Sequence, residues 1–210
     1  MPDASEARLL VLHGLRLGGF VEPDVVAARS GLAEAQVSEL LAAALADGLA
    51  RRRDGRVSGW LLTAEGRSEG ERLLAAELDA TGARATVAAA YDRFMQVNKD
   101  LLATCTAWQV RDEGSGALND HADAAYDAEV IGRLGEIDDA VQPICADLAS
   151  ALERFGRYGH RLATARTRVE QGEVDWFTKP MIDSYHTVWF QLHEDLLNTL
   201  GIERSQEGAH

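Results

Sequence analysis

Between Leu49 and Thr63 the hydrophobic period of the chain changes. Upstream, apolar residues recur at the three- and four-residue spacing of one helix face. Here Leu49 to Arg53 and Arg56 to Thr63 read as two strands around Asp54-Gly55. Asp-Gly is a favoured hairpin turn because both central residues tolerate positive φ. Three helical stretches come first: Ala4 to Leu17, Asp24 to Arg29, and Ala33 to Asp47. Gly18-Gly19, Ser30-Gly31 and Gly48 punctuate them, because glycine accepts the left-handed conformation that ends a helix. Thr63 caps a fourth helix, to about Leu78, by accepting a first-turn N–H. Thr81-Gly82 closes the domain.

The order helix, helix, recognition-type helix, wing, helix is that of a winged helix-turn-helix. The chain has 210 residues, 46% of them hydrophobic and 26% charged, which suits a globular protein with a real core. Its net charge of −13 argues against a protein that coats nucleic acid through bulk basicity. The acid is unevenly spread: residues 1–82 carry −4 and the remainder −9. No apolar run approaches the ~18 residues of a membrane span. The start, Met1-Pro2-Asp3-Ala4-Ser5-Glu6, is acidic where a signal peptide is basic. Two cysteines do not make a disulfide framework. These features lead to the expectation of a cytoplasmic protein without a membrane partner.

Five segments carry a family resemblance. They are Gly31-Leu32 in the turn, Val37-Ser38-Glu39-Leu40-Leu41 in the third helix, and Asp47-Gly48-Leu49-Ala50-Arg51 leading into the wing. Asp54-Gly55-Arg56 forms the wing tip, and Leu62-Thr63-Ala64-Glu65-Gly66-Arg67 opens the next helix. Over residues 5–80 the chain resembles the MarR-like transcription regulators. Their wing commonly carries Asp-x-Arg shortly before Leu-Thr-x-x-Gly. The resemblance implies operator binding by a homodimer, with Arg56 at the minor groove and Asp54 orienting the wing.

The residues themselves fit that chemistry. A helix in the major groove reads base edges through its N-terminal side chains. Gln36 and Ser38 are the hydrogen-bonding candidates there. Arg51, Arg52, Arg53 and Arg56 fall in a six-residue window opposed only by Asp54. Arginine suits phosphate forks and narrow minor grooves. The third helix departs from the pattern: it has no cation before Arg51 and carries Glu34 and Glu39.

Residues 83–210 read as an all-α bundle. Val87, Tyr91, Phe94, Asn98, Leu101, Cys105 and Trp108 form a heptad-like seam. A polar loop is expected over Glu113 to Asp123 and a helical stretch over Ala124 to Phe155, broken or kinked at Pro143. Helices over Tyr158 to Val169 and Lys179 to Leu200 complete the domain, and the tail after Glu203 is polar. On the last helix Ile182, His186, Trp189, His193, Leu196 and Leu200 share one stripe. Met181, Tyr185, Val188 and Leu192 fill the next. Dimer interface, ligand-sensing pocket, or both remain open for this domain. Asn98, Trp108, Tyr185, His186, Trp189 and His193 are its candidate ligand-binding residues. A core with bonded histidines explains the same pattern.

No metal and no cofactor are expected. His186 and His193 stand two turns apart, about 10 Å along the axis, too far to share one ion. Pairs such as Asp183/His186 and His121/Asp123 need ligands from elsewhere. Cys105 and Cys145 read as a redox pair or as buried structural thiols, and neither has a basic neighbour. No nucleophile or nucleotide-binding signature appears, so the chain is not read as an enzyme. A weaker option places catalysis on Tyr185, His186 and His193.

The expectation is thus a mostly α chain. Residues 1–82 form a DNA-binding winged helix-turn-helix with a small two-stranded wing. Residues 83–210 form an α-helical dimerisation and effector-sensing domain. The expected function is transcription regulation on double-stranded operator DNA by a homodimer, with a small-molecule effector as an open extension. The alternative is a winged-helix adaptor that binds a protein and not DNA.

Overall fold

A computed structural model describes residues 5–112 and 114–204. Ala4, Glu113 and the tail beyond 204 lie outside the described residues. The described chain is mostly helical and divides into two compact units. The first holds residues 5–85, 151–154 and 194–204; the second holds 86–150 and 155–193. Gly82, the expected boundary, ends a helix with a left-handed φ of 67°. The first unit nevertheless also gathers two segments from beyond residue 83.

The first unit opens with α1 (Ala7–Gly18), α2 (Pro23–Ser30) and α3 (Glu34–Ala46). Leu9, Leu12 and Leu15 of α1 are buried with Val26 of α2 and Val37, Leu41 and Ala44 of α3. Pro23 starts α2 where its missing N–H costs nothing, and Gly31 ends it in the left-handed region. Strands β1 (Ala50–Arg53) and β2 (Gly59–Leu62) pair antiparallel, with Arg53 opposite Gly59. Val21, between α1 and α2, bridges Trp60 through two backbone hydrogen bonds. Ala50, Trp60 and Leu62 thereby reach the same core as the helices. Helix α4 (Ala64–Thr81) closes the run, capped by Thr63, whose side chain accepts the Gly66 N–H at 3.0 Å.

The hairpin differs from the expected form. Its connection is the five residues 54–58, and Gly55 does not take positive φ. A five-residue loop turns the chain without a left-handed tip. Arg56 accordingly lies in the loop and not in a strand.

The second unit takes α5 (Arg84–Gln109) from Thr86, β3 (Val110–Asp112), β4 (Ala117–Leu118) and α6 (Ala124–Ala151). A 3₁₀ turn (Glu153–Arg157), α7 (Tyr158–Glu170), α8 (Asp175–Thr178) and α9 (Tyr185–Leu200) follow. Phe94, Leu101, Val130, Leu134, Val141, Leu148, Leu162, Phe177 and Val188 are among its buried core.

The expected helical layout needs four corrections here. Ala117 and Leu118 of the expected polar loop form β4 and pair with β3, which precedes that loop, Val110 opposite Leu118 and Asp112 opposite Ala117. Pro143 does not break α6. It removes one N–H donor, while buried Val141, Ile144, Cys145 and Leu148 hold the helix on both sides of it. That helix ends at Ala151, and Phe155 sits in the 3₁₀ turn. The last helix starts at Tyr185, not Lys179. Pro180 forces Lys179 into extended backbone with ψ 127°, and Met181 follows at φ 68°. Met181, 96% exposed, and Ile182 therefore do not belong to the helical stripes.

Candidate functional site

In the first unit α3 turns Val37, Leu41 and Ala44 inward. Gln36, Ser38 and Glu39 are consequently exposed. Among the described residues none of the three makes a side-chain hydrogen bond or ion pair. Ser38 thus differs from Ser68 and Ser150, which bond the carbonyl four residues back.

Strand alternation divides the hairpin arginines. Arg52 shares a face with Ala50 and Trp60; its Nε donates to Asp54 Oδ1 at 2.8 Å and its guanidinium lies 5.9 Å from the Trp60 ring centroid. Arg51 and Arg53 point to the other face and Arg56 rides in the loop. These three are exposed and, among the described residues, have no carboxylate partner. Other arginines of the same unit are engaged, Arg8 with Asp47, Arg16 with Glu71 and Arg72 with Glu69. The hairpin therefore presents three guanidinium groups with no carboxylate partner among the described residues, two on β1 and one in the loop.

The candidate ligand residues of the second unit do not form one group. Asn98 and Trp189 meet: the indole N–H donates to Asn98 Oδ1 at 2.9 Å. Trp189 stacks on Phe94 at 4.6 Å and lies 6.1 Å from Tyr185. His193 is buried 5.3 Å from Phe94. Tyr185 is fully buried and donates its hydroxyl to Asp138 Oδ1 at 3.1 Å. Burial, then the Asp138 charge, push the Tyr185 phenol far above its ordinary value. His186 is half-buried, and burial lowers its affinity for a proton. Trp108 belongs to a different cluster, stacked on Phe177 at 4.6 Å and set 4.4 Å from His121. His121 Nδ1 lies 3.0 Å from Asp127 Oδ2, while Asp123 holds Arg111 and Asp183 holds Arg161. No group of three or more His, Cys, Asp or Glu among the described residues is arranged to hold a metal ion.

Both cysteines are buried, and burial pushes each thiol up to about 12, helped at Cys145 by the Asp138 charge. A thiol that resists ionisation is a poor nucleophile and a poor redox centre.

One feature of the first unit is invisible in the sequence motifs. Arg154 is buried among acids and donates from Nε to Glu77 Oε2 at 2.8 Å, from Nη1 to Asp195 Oδ1, and from Nη2 to Thr199 Oγ1 at 2.7 Å. His13 Nε2 stands 2.9 Å from the same Asp195 oxygen, without the alignment of a hydrogen bond. Burial alone would lower the Arg154 pKa, but the Asp195 and Glu77 charges outweigh it and raise it. No helix of the described residues is long and apolar enough to cross a membrane. No family model, curated protein or solved structure matches the chain.

Proposed function

We propose that this chain is a DNA-binding transcription regulator whose first unit acts as a MarR-like winged helix-turn-helix. The observation that carries the reading is the set of exposed Arg51, Arg53 and Arg56 on the hairpin that follows α3, which have no carboxylate partner among the described residues. Guanidinium groups on a projecting loop bind phosphate and enter minor grooves. The unpartnered Gln36 and Ser38 on α3 supply base-edge hydrogen bonding. Two copies of the chain would place two such faces on successive turns of a duplex. No ligand is assigned to the second unit.

Selection from a random duplex library at low salt, followed by gel-shift titration, tests the proposal. The wild-type chain is expected to enrich a two-part site, and the Arg53→Ala, Arg56→Ala double variant to bind it at least tenfold more weakly. Failure to retain any duplex at low salt overturns the proposal.

A second reading has its own observation. The exposed residues of α3 include no cation, while Glu34, Glu39 and a half-exposed Leu45 are among them. A protein partner suits such a face, and the chain would then act as an adaptor.

A further inference from the structure

We propose that Glu39 is the specificity-determining residue of the DNA interface and that it selects cytosine. The inference rests on the DNA-binding reading above. Its own observation is the geometry of α3. Val37, Leu41 and Ala44 define the buried side of the helix. The side diametrically opposite holds Ala35, Glu39, Ala42 and Ala46, at helical spacings of four, three and four, and all four are exposed. Gln36 and Ser38 fall on opposite flanks of this ridge. Glu39 is thus the one long side chain on the ridge that would enter a groove first. Among the described residues it makes no ion pair or hydrogen bond. It is free to meet a partner outside the chain.

The carboxylate decides which partner. An ionised carboxylate only accepts hydrogen bonds. Phosphate oxygens, guanine N7 and O6, and thymine O4 are also acceptors and repel it. The major groove offers two donors, cytosine N4 and adenine N6. The adenine amino group lies beside the N7 acceptor, which faces a carboxylate unfavourably. The cytosine amino group has a C–H neighbour and no adjacent acceptor on its own base. Cytosine is therefore the favoured base under Glu39. The alanines at 35, 42 and 46 add little bulk, so the helix can approach closely enough for the carboxylate to reach a base edge.

The arrangement divides the work. The hairpin arginines supply attraction to any duplex, and Glu39 subtracts from it wherever no amino group meets the carboxylate. Discrimination comes from penalising the wrong sequence.

The test uses the full chain. Sites are selected from random duplex for the wild type, Glu39→Gln and Glu39→Ala, and the folded state of each variant is checked by thermal melting. Glu39 is exposed and has no partner among the described residues, so all three are expected to fold alike. The wild type is expected to fix cytosine at one position of each half-site and to bind roughly tenfold more weakly, or worse, when that base pair is changed. Glu39→Gln should move the preference toward adenine, which a carboxamide matches at N6 and N7. Glu39→Ala should lose the preference and bind unselected duplex more tightly than the wild type. Retention of the wild-type preference by Glu39→Ala overturns the proposal while leaving DNA binding intact. If the wild type selects nothing, the DNA-binding reading itself fails.

Discussion

A Cβ atom on Gly66 would stand 1.9 Å from the carbonyl oxygen of Leu49. This contact explains why glycine follows Leu-Thr-x-x at the start of α4. The backbone entering the hairpin passes directly against the first turn of that helix. Thr63 joins the same point, accepting the Gly66 N–H and donating its hydroxyl to Gly48 O at 2.8 Å. Helix start and hairpin start are therefore one hydrogen-bonded unit.

Gly66→Ala should accordingly cost more than the gain in helix propensity returns. Alanine normally stabilises a helix by about 1 kcal/mol over glycine. Here the methyl group meets backbone, which can only yield by moving α4 away from β1. A net loss of about 1–3 kcal/mol is expected, read as a lower urea midpoint. An unchanged or raised midpoint would mean that the contact relaxes freely.

The buried Arg154 network makes the second prediction. Glu77 and Asp195 come from positions 77 and 41 residues away from Arg154, and all three side chains are almost fully buried. Removing one acid leaves a buried cation short of its counter-charge. Asp195→Ala is expected to destabilise the chain by about 3–5 kcal/mol, measured by denaturant unfolding. A surface pair is the control: Arg72→Ala breaks the exposed contact with Glu69 and should change stability by less than about 1 kcal/mol.

These two cases mark what the sequence made legible. Short-range order was readable. The helical period of α1 and α3, the caps at Thr63 and Gly31, and the change of period at the hairpin all depend on neighbours a few residues apart. The β3–β4 pair was not readable, because strands of three and two residues show no alternation. The start of α9 is not legible from periodicity alone, because Met181 and Ile182 extend its two apolar stripes in sequence while Pro180 keeps that segment out of the helix. The Arg154 network was hidden for another reason. Nothing local distinguishes a buried arginine from a solvated one when its partners lie dozens of residues away. Asn98 stands out in sequence as a polar residue in an apolar seam, but its partner, Trp189, is 91 positions further on.

That partnership is testable by itself. Asn98 and Trp189 are both buried, so losing the carboxamide oxygen strands the indole N–H. Asn98→Ala should lower stability by about 1–3 kcal/mol and change the near-ultraviolet dichroism of the Trp189–Phe94 stack. If Asn98→Ala leaves both untouched, the hydrogen bond contributes nothing to the core.

Alkaline pH gives a fourth prediction. Cys105 and Cys145 rise from about 9 to about 12 in the folded chain, and Tyr185 rises further, all through burial first. A raised folded pKa means that the native state holds its proton longer than the unfolded state does. The linked stability is complete below the unfolded values and is lost as pH climbs toward the folded ones. The melting temperature should therefore fall from about pH 9 upward. At pH 8 a thiol reagent should label neither cysteine until denaturant is added. Rapid labelling of the native protein would contradict the buried placement of both thiols.

The β1–β2 hairpin supplies the last prediction, which rests on the proposed DNA binding: its four arginines are not equivalent. Arg52 is held by Asp54 and lies near Trp60, whereas Arg53 is exposed and without a carboxylate partner among the described residues. If both touched phosphate equally, removing either would reduce the slope of log affinity against log salt by about 0.9. The geometry argues for an unequal result. Arg53→Ala should take most of that unit from the slope on a selected duplex. Arg52→Ala should take little, because the Asp54 carboxylate already neutralises that guanidinium. Removing Asp54 should then release Arg52, so Asp54→Ala is expected to steepen the salt dependence in an otherwise intact hairpin. Equal slopes for Arg52→Ala and Arg53→Ala would show that the pairing with Asp54 dissolves when the hairpin is offered duplex.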